Sequence, residues 1–196
     1  MFSQEEISFV KNSDFILTKN AIIQKVMLLF GRLADHYRVI AEEKKKQLPI
    51  ETLLFSPKIA RGEQYQGLPY VMLDYPRIFS KEDVFAARTF FWWGNYFSIT
   101  LHLKGKYKNQ FEKLIEEKLG VLSEKNFFIG ISKDEWSHDF KVANYEKLKT
   151  DKSWFENRVR ENEFLKLAAS WPLQVSNDIE RLLVEEFMVL MKVVAG

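Results

Sequence analysis

The sequence predicts an α+β fold: an antiparallel sheet of about five strands, arranged as a central meander, packed against helices at the N- and C-terminal ends. Three observations lead there. Apolar residues recur at helical spacing over residues 18–43, at Ile22, Val26, Leu29, Leu33 and Ile40. They do so again near the end of the chain, at Ile179, Leu182, Leu183, Phe187, Leu190, Met191 and Val194. Between them, from Pro57 onward, the period becomes that of strands, punctuated by turn residues. With 196 residues, a single domain over 1–196 is expected. It should be helical over 1–48, sheet-rich over 55–132 and helical over 133–196.

Taken in order, Ser3 and Glu6 have the spacing of a capping box for a short first helix. In the long helix that follows, Ile23, Met27 and Phe30 widen the apolar stripe, so it should be buried on more than one side. It ends in the solvated run EEKKK at 42–46, and Pro49 forbids continuation. Residues 58–61 and 70–75 read as strands joined by the turn-rich GEQYQG at 62–67. Ser80 and Asp83 predict a capped short helix to about Ala87. A helix is expected over 107–119, with Phe111, Leu114, Ile115 and Leu119 on one face and Gly120 as its stop. Residues 127–131 read as a strand, and Ser132 with Glu135 as the cap of another helix. The stretch 151–167 permits a helix, while 164–171 fits a strand equally well; Pro172 ends either. Asn177 with Glu180 caps the last helix.

The strongest local signal is RTFFWWGNYFSITLHLK at 88–104. Two runs of aromatic and β-branched residues flank Gly94-Asn95, the residue types that suit a two-residue hairpin turn. With that turn as the loop, Trp93 faces Tyr96, and opposed residues share a face. One face is then core: Phe90, Trp92, Phe97, Ile99, Leu101 and Leu103. The other gathers Thr89, Phe91, Trp93, Tyr96, Ser98, Thr100 and His102. From the preceding strands Lys58, Ala60, Tyr70, Met72 and Asp74 join it.

Composition narrows the chemistry. There is no cysteine, so disulfides and thiolate chemistry are excluded. The net charge is only +2, with a mildly basic middle and a mildly acidic C-terminal part, which does not favour nucleic acid. The first residues lack a signal-peptide pattern and no apolar run reaches the length of a membrane span. A cytoplasmic location without membrane attachment is therefore expected. No spacing suggests a metal site, and no glycine pattern suggests a cofactor.

The leading expectation is a non-catalytic binding or interaction protein. It would use the polar-aromatic sheet face of Tyr70, Met72, Phe91, Trp93, Tyr96, Thr100 and His102 for a small ligand or a protein partner. A homodimer burying that face is a special case. The alternative is an enzyme in which Asp74 tunes His102 as a base, with Arg61 as an anion clamp. A third reading is weak binding of single-stranded nucleic acid, through the aromatic hairpin and the lysines at 104, 106 and 108. Asp134, Glu135 and Asp139 around Trp136 form an acidic patch that suits a capped helix start.

Overall fold

The computed structural model describes residues 1–195. Helices α1 (Gln4–Lys11) and α2 (Ser13–Glu43) lead into a meander of β1 (Lys58–Tyr65), β2 (Leu68–Phe79), β3 (Val84–Trp92) and β4 (Tyr96–Lys104). Next come α3 (Lys106–Glu117), α4 (Leu119–Glu124), β5 (Phe128–Gly130), β6 (Tyr145–Lys147), α5 (Lys152–Arg160), β7 (Phe164–Pro172) and α6 (Ile179–Ala195). The sheet has seven strands in the order β1-β2-β3-β4-β7-β5-β6, and every neighbouring pair is antiparallel. Helices thus flank an antiparallel sheet from both ends of the chain.

One face of the sheet carries the main apolar core. Val71, Leu73, Phe85, Ala87, Phe91, Phe97, Ile99, Leu101, Leu165 and Leu167 meet Phe30, Leu33 and Tyr37 of α2 and Leu183, Phe187 and Leu190 of α6. Tyr37 stacks on Phe187 with ring centroids 3.8 Å apart. Its hydroxyl shares a 2.9 Å hydrogen bond with Thr89, so the one polar side chain of β3 on this face is satisfied.

Several expectations need correction. The GEQYQG segment is mostly strand, and the turn between β1 and β2 lies at Gln66 and Gly67, both with positive φ. Ser80 does accept a 2.8 Å bond from the Asp83 amide, as a cap would, but a strand follows instead of a helix. Both faces of residues 84–87 are buried, which a helix on the surface could not satisfy. The expected helix after Ser132 is absent: residues 131–144 are irregular. The open choice at 164–171 resolves as β7, inserted between β4 and β5, so the region 133–196 is not purely helical.

The hairpin register also differs by one residue on one strand. Trp92 pairs with Tyr96, Phe91 with Phe97 and Arg88 with Thr100, leaving a three-residue loop of Trp93, Gly94 and Asn95. Gly94 takes φ +72°, and the Asn95 amide side chain donates to the Trp93 carbonyl at 2.9 Å. The faces of β4 are as expected. Those of β3 are exchanged: Thr89, Phe91 and Trp93 lie toward the helices, while Arg88, Phe90 and Trp92 lie on the second face.

The junction from β4 into α3 depends on Gly105, at φ +59°. Its missing side chain lets the Asp83 carboxylate accept a 2.8 Å bond from the Lys106 amide at the start of α3. A Cβ there would lie 2.2 Å from Asp83 Oδ1 and 2.4 Å from the Glu82 carbonyl. Gly105→Ala should therefore cost about 1–3 kcal/mol. Urea unfolding should show a lower midpoint at an unchanged m-value.

Candidate binding site on the second sheet face

The second face is polar and aromatic, and its positions follow from the register. Tyr70, Met72 and Asp74 of β2 align with Trp92, Phe90 and Arg88 of β3. These in turn align with Tyr96, Ser98 and Thr100 of β4, with His102 one step further. Lys166 of β7 sits opposite His102. No helix covers this face. The irregular segment 131–144 runs over it as a strap, and Asp74, Phe90, Trp92, Ser98, Thr100, His102, His138 and Lys166 are all buried.

The strap has its shape for a local reason. Ser132 Oγ and Asp134 Oδ1 accept from the amides of Asp134 and Trp136, two residues on in each case. Those turn bonds consume the groups that would have capped a helix. Past them, Trp136 lies edge-on to His102, and His138 stacks against Phe90 at 5.1 Å between ring centroids.

The strap is fastened by side chains from the sheet. Tyr96 Oη donates to the His138 carbonyl at 2.8 Å and accepts from the Phe140 amide at 3.2 Å. Tyr65 Oη accepts from the His138 amide at 2.7 Å. Tyr145 Oη donates to the Ser137 carbonyl at 3.2 Å, and Lys166 Nζ donates to the same oxygen. Three donors on β4, β6 and β7 thus converge on two successive carbonyl oxygens.

Arg88 is held against Asp74 by a two-pronged ion pair of 2.7 and 2.9 Å, and its other prong lies 2.9 Å from His138 Nε2. This places a cation beneath the strap. Burial lowers the His102 pKa to about 3, with the cations of Lys166, Arg88 and Lys104 adding to the effect. Burial, Lys166, Arg88 and His102 hold His138 well below its usual value. Burial and Arg88 lower Lys166 to about 7, against the opposing pull of Asp134 and Glu135. His102 Nε2 comes within 3.3 Å of Glu135 Oε2, but neither atom makes an aligned hydrogen bond, so the contact does not offset burial. Both imidazoles are therefore neutral at pH 7, in a positive potential.

The residues of the enzyme reading do not converge. Both Asp74 oxygens are taken by Arg88, His102 faces Glu135, and Arg61 is paired with Val71 on the other side of the sheet. Phe91 and Trp93, expected on this face, lie on the helix side. There they border a groove of ≈ 730 Å³ between α2, the β3–β4 loop and the approach to α6. The three lysines after the hairpin are engaged: Lys104 with Glu135, Lys106 with Glu51, and Lys108 with the carbonyls of Val159 and Asn162. No group of three or more histidine or carboxylate side chains is placed to hold a metal ion among the described residues. Among the described residues, no helix is long and apolar enough to cross a membrane.

Arg88, His138 and Lys166 complete the site, and the sequence reading missed their part in it. Lys166 had a usable signal: once 164–172 is a strand, alternation puts Phe164, Lys166 and Ala168 on one face and Leu165, Leu167 and Ala169 on the other. No protein-family model, curated protein or solved structure matches this chain.

Proposed function

We propose that the chain is a non-catalytic binding protein whose site is the polar-aromatic face beneath the strap, and that its ligand is a planar aromatic carboxylate. One observation carries the reading. Tyr145 and Lys166 aim two donors at the Ser137 carbonyl and Tyr96 a third at the His138 carbonyl, so three donors on the sheet are directed at oxygen acceptors of the strap. When the strap lifts, an incoming carboxylate accepts the same donors.

The surroundings support the same chemistry. Phe90, Trp92 and Tyr65 supply ring faces and edges for a planar ligand. Five buried polar atoms without a hydrogen-bond partner lie here: Trp92 Nε1, Ser98 Oγ, His102 Nε2, Glu135 Oε2 and His138 Nδ1. Burial is the main cause of the lowered His102 and Lys166 values, and the cations that add to it, Arg88 and Lys104 among them, are the partners an anion would find here. An irregular segment held by side-chain bonds rather than by a ladder is the kind of element that opens locally.

Benzoate serves as the probe, with neutral benzamide as its control. Benzoate at about 100 times its dissociation constant should stabilise the fold by about 2.7 kcal/mol in thermal melts, and benzamide should not. Binding should also take up protons near pH 8, because an anion beside Lys166 restores its charge; calorimetry in buffers of different ionisation enthalpy reads this. Lys166→Met should abolish the uptake. Absence of stabilisation by millimolar benzoate, with amide exchange over 131–144 unchanged, would refute the reading.

A further inference from the structure

The N-terminal 22 residues stand apart from the apolar core. Helix α1 buries no residue, and the buried positions of α2 begin only at Ile23. The first ten residues of α2 thus extend the arm for about 15 Å before the helix meets the core cluster. This arm is not a polar extension. Phe9 is 67% exposed, Val10 76%, Phe15 57% and Leu17 64%, with Phe2 and Ile16 also open to solvent. A lone exposed leucine needs no explanation, but six large apolar side chains on one projecting arm do.

The same molecule carries a surface of matching character. The groove of ≈ 730 Å³ starts at Ile22, where the arm leaves the body, and is lined by Leu29, Trp93, Phe97 and Leu173. Lys25 stands at its mouth, and Arg32 on its wall is held by Glu180. The arm carries Glu5, Glu6 and Asp14 against Lys11 and Lys19, and Lys19 is bound to Glu63. Arm and groove match in apolar character; Glu180 lines the same groove and neutralises Arg32, so Lys25 is the lining cation that faces the small excess of acids on the arm.

We infer that two copies of this chain associate by exchanging arms, each laying its apolar residues in the groove of the other. Because the groove begins at the root of the arm, a two-fold axis near Ile22 brings each arm over its partner's groove, and the contact closes on itself. The area suffices. Side chains of this size bury about 100–200 Å² each, so an arm offers on the order of 700 Å², close to the roughly 800 Å² per partner of a stable interface. A lipid surface is the poorer occupant, since helices that lie on membranes are rich in Lys and Arg on their polar side, and this arm has more acids than bases. The inference is independent of the site beneath the strap.

Sedimentation equilibrium of the full chain tests it. The wild type should run at twice the chain mass at micromolar concentration. The arm variant Phe9→Asp/Phe15→Asp alters only exposed positions and should weaken association by roughly 100-fold, with its circular dichroism and melting cooperativity retained. The groove variant Leu29→Lys should do the same. Mixing the two variants should restore a heterodimer in part, because one intact arm then meets one intact groove. A wild type that stays monomeric overturns the inference. So does a groove variant that dimerises as well as wild type, since the arms would then pair with each other. Monomers that bind phosphatidylcholine or phosphatidylserine vesicles through the arm overturn it in favour of a lipid surface.

Discussion

Asp74→Ala should lower the unfolding free energy by about 3–5 kcal/mol, measured by urea denaturation at pH 7. The carboxylate is 3% exposed and accepts both forks of Arg88. Its removal leaves a guanidinium that cannot lose its charge, beneath a strap that keeps water away. Arg88→Met in the same background removes that orphaned cation and should recover most of the loss, because an apolar pair of similar volume lacks the desolvation cost of the ion pair. If Asp74→Ala alone costs under 1 kcal/mol, the strap does not exclude water from this face.

Stability should rise by about 2 kcal/mol between pH 5 and pH 7 through His102 alone, with His138 adding to the rise in the same direction. Imidazoles of the unfolded chain take up protons as the pH falls through about 6.5. In the folded protein His102 stays neutral down to about pH 3, and His138 is depressed in the same sense. The unfolded state therefore binds more protons across this window. The stabilisation is complete above pH 6.5 and is lost as the pH falls toward 3. Lys166, lowered to about 7, adds a contribution of the same sign between its unfolded value and pH 7. Thermal melts at pH 5, 6 and 7 read the slope, and His102→Gln/His138→Gln should flatten it. A flat wild-type profile would mean that both rings bind protons inside the fold.

The parts of this fold that were legible are those where apolar and polar side chains alternate along an element. β4 reads Phe97-Ser98-Ile99-Thr100-Leu101-His102-Leu103, and its alternation assigns both faces correctly. β3 reads Phe85-Ala86-Ala87-Arg88-Thr89-Phe90-Phe91-Trp92, with apolar side chains on both faces, so no alternation remains from which to fix its register. Only the loop length could decide, and Gly94-Asn95 suits two residues as readily as the tail of three. The predicted helix starts at Ser80 and Ser132 failed for another reason. A serine that accepts an amide bond two or three residues on is common to helix caps and to isolated turns, and only the following apolar period tells them apart. At the candidate site, Tyr70, Met72, Tyr96, Thr100 and His102 were placed on the second face from alternation alone. Arg88, His138 and Lys166 were not, because each depends on a long-range pairing or on the path of the strap.

The insertion of β7 between β4 and β5 sets the order in which the molecule can assemble. The meander of β1 to β4 is local in sequence, but the free edge of β4 finds its partner only in Phe164–Pro172, which begins 60 residues after Lys104. On a ribosome adding about 5–20 residues per second, β4 waits roughly 3–12 s for that partner. Throughout that interval Ile99, Leu101 and Leu103 sit on an unpaired edge, without α6 to cover them. Nascent chains halted before residue 164 should therefore be the form of this protein most dependent on chaperones, whereas the completed chain has β4 sealed on both sides.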